Sequence, residues 1–280
     1  PMLVQAFTGL IYGDLIMLLS NQTRPYEINK GDTDKVIAKW TDILGDCYEK
    51  NRGYFWGNMK KKLNQISDDF AAVPVKRIPK VKIGVVGEIY MKYSRLGNSD
   101  LQGFLESEDC EVMLPPMLGF IFYCFSNGIK DEEYYGGRGK YAFFMDHFGL
   151  PMLQIIERWS DEAVKRHPEF HPAATFKELE EFGERFIDRG CKMGEGWLLT
   201  AEMVELIEKG YDNIVCTQPF GCLPNHICGK GMIRPLKEAY PDSNIVPIDY
   251  DPSATKVNQE NRIKLMLAVA KEKLDTETAR

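Results

Sequence analysis

The apolar residues of this chain recur first at helical spacing and then in short continuous runs. Leu10, Ile11, Leu15, Ile16, Leu18 and Leu19 form a broad apolar face without strand alternation, which predicts a helix. The tetrapeptide RPYE (24–27) breaks it. Val36, Ile37, Trp40, Ile43 and Leu44 return at helical spacing, and Asp32 or Thr33 is placed to cap that second helix. Residues 53–70 predict a third. At VKIGVVG (81–87) the pattern changes to a β-branched run ending in glycine, the signature of a buried parallel strand. The loop GEIYMKYSRLGNSD, a helix over 99–108 and a strand at 110–114 complete a βαβ unit with an expected right-handed crossover.

Residues 116–165 read as helix, interrupted by the polar, glycine-rich DEEYYGGRGK (131–140). HPEFHPAA (167–174) is another break, 176–190 a charged amphipathic helix, and GEGW (194–197) precedes a helix to about residue 209. Strands at 213–216 and 245–249 then alternate with helices over 227–240 and 255–273. Four parallel strands predict an α/β fold: a Rossmann-like three-layer parallel sheet with an N-terminal helical segment and a long helical insertion. The expected organisation is a helical segment at 1–75 and a Rossmann-like domain at 76–280, with the insertion at about 116–195. Ligands of such sheets collect at the carboxyl ends of strands. The loops GEIYMK, TQPFGCLPNH and DYDPSAT all leave such ends.

Composition narrows the partners. The 280 residues are 44% hydrophobic with a net charge of −6, enough for a sizeable core. Without a basic stripe, nucleic acid and anionic membranes are not expected partners. No continuous apolar run reaches the ~18–20 residues of a membrane span, and no signal-type leader is visible. The opening at Pro1 reads as a piece of a longer polypeptide. Seven scattered cysteines do not form a secreted disulfide framework, so a reducing cytoplasm is the expected location.

The candidate chemistry lies in CTQPFGCLPNHICGKG (216–231). Its spacing does not match the GxxxxGK[ST] phosphate loop, and GVVGEIY lacks the dinucleotide GxGxxG pattern. The cysteines are too far apart for a zinc ribbon, and ferredoxin spacing is absent. Cys216 reads as the end of a buried strand and Cys228 as the start of a helix, both packing residues. Two readings of Cys222 stand: a turn residue, and a functional thiol in an irregular loop before a helix. Cys124 lies in FIFYCFSN on an aromatic helical face and reads as core. His226 is a ligand, a base or, with Asn225, a helix cap. Glu88 and Glu195 line the cleft or face solvent.

QPFGCLPNHICGKGMIRPLKEAYPDSNIVPIDYDPSATKVNQENRIKLML (218–267) resembles the C-terminal region of the acyl-CoA dehydratase activase-related proteins. VVGEIYMKYSRLGN (85–98), FYCFSN (122–127), MGEGWLL (193–199) and RPYE (24–27) match the same family, so the resemblance spans nearly the whole chain. It implies an iron–sulfur cluster, with Cys222 and Cys124 as candidate metal ligands. It also implies that Glu88, Glu195, Asn225 and His226 line a cofactor-binding cleft. The implied function is an electron-transfer or dehydratase-subunit-like module of a 2-hydroxyacyl-CoA dehydratase activation system. The implied partners are upstream modules of the same polypeptide and dehydratase or activator subunits. Two other classes stand beside it: a non-catalytic docking module, and an α/β domain that binds a CoA thioester without redox chemistry.

Overall fold

The computed structural model describes residues 2–136, 139–251, 253 and 256–278. The chain divides into two compact units, Pro1–Arg77 with Pro116–Phe176, and Ile78–Pro115 with Lys177–Arg280.

The first unit is helical. Its elements are α1 (Met2–Thr23), α2 (Asp32–Glu49), α3 (Met59–Ala71), and later in the chain α6 (Met117–Tyr135), α7 (Gly139–Phe144) and α8 (Leu150–Lys165). A π-helical turn, Met145–Gly149, joins the last two. Of the apolar face expected on the first helix, Ile11, Leu15, Leu18 and Leu19 are buried while Leu10 and Ile16 are partly exposed, and the same unit buries Leu63, Ile66 and Phe70 of α3 and Leu153 and Ile156 of α8. A window within Met2–Tyr26 has a mean hydropathy of 1.7, so this helix is long and apolar enough to cross a membrane, contrary to the expectation from continuous runs.

Helix starts in this unit are capped from a distance. The Glu27 carboxylate accepts the backbone N–H of Gly31 (2.7 Å) and of Thr33 (2.9 Å), so RPYE supplies the cap expected of Asp32 or Thr33. Asp14 likewise accepts the N–H groups of Met117 (3.0 Å) and Leu118 (2.8 Å) at the start of α6. Such N–H groups have no partner inside their own helix.

The second unit is α/β. Its strands are β1 (Lys82–Gly87), β2 (Glu111–Met113), β3 (Asn213–Pro219) and β4 (Asn244–Tyr250). All pairings are parallel and the order is β2-β1-β3-β4. α4 (Ile89–Tyr93) and α5 (Leu101–Ser107) connect β1 to β2. α9 (Phe176–Glu184) and α10 (Trp197–Glu208) precede β3, α11 (Leu223–Cys228) and α12 (Ile233–Ala239) follow it, and α13 (Lys256–Thr278) closes the chain. Every residue of α10 from Trp197 to Ile207 is buried. Gly84 lets it lie close: a Cβ there would stand 2.5 Å from a Leu206 methyl.

The helix expected over 227–240 is two shorter ones. Pro235 lacks the N–H that a continuous helix would use, and sits where a first helical turn tolerates it. The chain therefore turns at Gly229 and restarts at Ile233. Cys228 ends a helix rather than starting one. In this strand order, the chain leaves β1 toward β2 on one side while β3 lies on the other. A crevice opens outside the carboxyl ends of strands at such a reversal.

Candidate functional site

Gly87 ends β1 with φ +142, and a Cβ there would stand 1.9 Å from the Thr217 carbonyl oxygen. Only glycine allows this approach. The next N–H, that of Glu88, donates to the Thr217 carbonyl at 3.0 Å. The carboxyl ends of β1 and β3 are thereby tied together, and the loops that follow them meet.

Glu88 itself caps α4, accepting the Met91 N–H at 2.9 Å. Its carboxylate is engaged in local structure. Glu195 sits between Gly194 (φ +60) and Gly196 (φ +47), a backbone path that turns its side chain inward. One carboxylate oxygen accepts the Ile89 N–H at 3.2 Å, and the other accepts Asn225 Nδ2 at 3.1 Å. The same Nδ2 donates to Cys222 Sγ at 3.2 Å. Asn225 is fully buried, and its Oδ1 has no hydrogen-bond partner. Cys222 is half-buried at the residue preceding α11.

His226 faces the other side of the same turn. Its Nδ1 lies 2.7 Å from the Cys222 carbonyl oxygen, to which it donates. Its Nε2 stands 3.4 Å from the Asp249 carboxylate. Asp249 also accepts Gln218 Nε2 at 2.6 Å and faces Lys230 Nζ at 3.3 Å. Gln218 and Asp249 are register partners on β3 and β4, so the parallel pairing places this group. Gln218, Lys230 and Asp249 were not singled out in the sequence. The signal for Asp249 was present in DYD at the end of a strand, but pairing register is not visible locally.

Met193, Phe220, Leu223 and Ile227, in the segments that carry Glu195 and Cys222, are apolar and exposed. Lys92 Nζ pairs with Glu202 at 2.8 Å, both side chains buried. Burial pushes the Glu202 carboxyl up, against the pull of Lys92.

The structure thus gathers Glu195, Asn225, Cys222 and His226 in the second unit. Cys124 belongs to the helical unit, on α6, and is exposed rather than core. Cys216 and Cys228 are buried, and loss of solvent pushes their thiols up to about 12 and about 11. Such neutral thiols suit packing. Among the described residues, no group of three or more His, Cys, Asp or Glu side chains is arranged to hold a metal ion. An iron–sulfur cluster takes about four thiolates, so these residues do not make a complete ligand set. The Cys222 sulfur accepts an N–H from the Asn225 amide at 3.2 Å.

No family model, curated protein or solved structure matches the chain.

Proposed function

We propose that this chain is a dehydratase-subunit-like module of the acyl-CoA dehydratase activase-related type. Its α/β unit is Rossmann-like, with the site at the reversal of strand order. Cys222 is one ligand of an iron–sulfur cluster whose other thiolates come from other modules or subunits. The family likeness rests on the sequence motifs. The observation that carries the reading is the half-buried Cys222 sulfur at the carboxyl edge, receiving an N–H from the buried Asn225 amide. Hydrogen bonds to sulfur are a principal means by which proteins tune such clusters.

The test is iron and acid-labile sulfide after strictly anaerobic purification, for this chain alone and joined to upstream modules. Iron in the longer protein only, lost in Cys222→Ala, is the expected result. Iron retained by Cys222→Ala removes the ligand assignment. Cys124→Ala in the same assay decides the second ligand that the family implies.

A second reading, a docking module, has its own observation. Tyr134, Tyr135, Phe143, Phe144 and Phe148 are all exposed around the end of α6 and the π-helical turn. Aromatic residues are enriched in interfaces, and π-helical turns cluster at functional sites. Sedimentation with dehydratase or activator subunits tests it: replacing Phe143, Phe144 and Phe148 by Ser abolishes complex formation if this reading is right.

A further inference from the structure

The Asn225 amide has two ends, and its surroundings select which one meets the sulfur. A carboxylate accepts hydrogen bonds and does not donate them. Glu195 is itself fixed by the Ile89 N–H on its other oxygen. The amide end that faces Glu195 must therefore be the NH2 group, and that same group lies 3.2 Å from Cys222 Sγ. Turning the amide over would set its carbonyl against the carboxylate. The orientation leaves Oδ1 buried without a partner, which opposes it. The relay from Ile89 N–H through Glu195 to Asn225 is what holds it.

We infer that Glu195 and Asn225 are positioning residues that make the Cys222 sulfur a hydrogen-bond acceptor, presenting its lone pairs to a soft electrophile. An N–H aimed at sulfur is satisfied by a lone pair, whereas a carbonyl in its place would engage the S–H. The inference shares Cys222 with the function proposed above, but it needs no cluster and is read on metal-free protein.

The probe is a chromogenic aromatic disulfide mixed with the metal-free chain at one fixed, near-neutral pH. The Cys222 sulfur gives up its proton to the buffer and bonds to one sulfur of the probe, the probe's S–S bond breaks, and the electron pair leaves on the coloured aromatic thiolate. The product is one mixed disulfide, located by peptide mass. In the wild-type chain the fastest site is Cys222, ahead of the more exposed Cys191 and Cys124.

Glu195→Gln separates the relay from plain charge. If the carboxylate acted only as a nearby negative charge, its removal would take away a repulsion on the negative charge that moves through the sulfur during attack, and would speed the reaction. The relay demands the opposite. The amide introduced by Glu195→Gln turns an N–H toward Asn225, whose own amide rotates until its carbonyl faces the sulfur. Reaction then slows by about tenfold, the effect of one hydrogen bond to a charged group. Asn225→Leu slows it by a similar factor, with the Cys191 rate unchanged as an internal reference for folding. An unchanged or faster Cys222 rate in Glu195→Gln, with the Cys191 rate intact, overturns the inference. If Glu195→Gln does not fold, an unslowed Asn225→Leu overturns it. The iron assay failing while these rates behave as expected would remove the cluster and leave the relay.

Discussion

Gly87 and Gly84 stand three residues apart on β1, and they make different demands. A Cβ at Gly87 meets the Thr217 carbonyl at 1.9 Å, a backbone atom fixed by the parallel ladder. A Cβ at Gly84 meets the methyl end of Leu206, which a rotamer change can move. Gly87→Ala should therefore cost about 3 kcal/mol or more, through overpacking added to a backbone angle that alanine rarely adopts. Gly84→Ala should cost about 1–3 kcal/mol, the ordinary range for an extra core methyl. Urea denaturation of the two variants checks the order, and equal midpoints would contradict it. The sequence showed a glycine at the end of a strand. It could not show that Thr217 lies against it, because that contact joins residues 130 positions apart.

At the scale of elements, the buried pair between Lys92 of α4 and Glu202 of α10 decides how these two helices are held. Removing water from both charges is expensive, and only the partner offsets it. Lys92→Met leaves Glu202 buried without its cation, beside Glu195 and Glu205, which push its carboxyl further up. The expected loss is about 3–5 kcal/mol. Lys92→Met combined with Glu202→Leu should recover most of that, because two apolar side chains replace the pair without a desolvation cost. A double-mutant cycle by denaturation measures both terms, and additive losses would show that the pair is not coupled. Local pattern missed α4 for a clear reason. Its five residues, Ile89–Tyr93, are too few for a 3.6-residue repeat to emerge, and IYMKY reads as loop. β1, β3 and β4 were legible because β-branched runs need little context, but β3 runs on to Pro219, so Cys216 lies within it rather than at its end. The break at Gly229 was legible in principle from Pro235, but the apolar spacing across 227–240 outweighed it. Of the site, the loop bearing Cys222 was visible as an irregular glycine- and proline-rich stretch. Its link to Glu195 was not, since the relay runs through tertiary contacts across about thirty residues of chain.

Across the whole molecule, the seven cysteines fall into two populations, which sets both chemical accessibility and pH dependence. Cys110, Cys216 and Cys228 are buried, while Cys47, Cys124, Cys191 and Cys222 reach the surface in part or fully. Native protein should thus expose four thiols to an aromatic disulfide, and the remaining three only in denaturant. Burial pushes the thiols of Cys110 and Cys228 up to about 11 and that of Cys216 up to about 12, from an ordinary value of 9.0. The sign follows directly. Above an ordinary thiol pKa the unfolded chain releases these protons and the folded chain keeps them, so rising pH favours unfolding. Their contribution to stability is complete below about pH 9 and falls as pH climbs through the folded values. Burial raises the phenols of Tyr12 and Tyr250 as well, which extends the loss to higher pH. Urea midpoints should be level from about pH 7 to 8.5 and decline from about pH 9 to 10.5. Cys216→Ala should flatten part of that decline, although the smaller side chain lowers stability at every pH. A midpoint that holds level through the alkaline range would mean that these three thiols ionise in the folded protein, and the packing role assigned to Cys216 and Cys228 would fail with it.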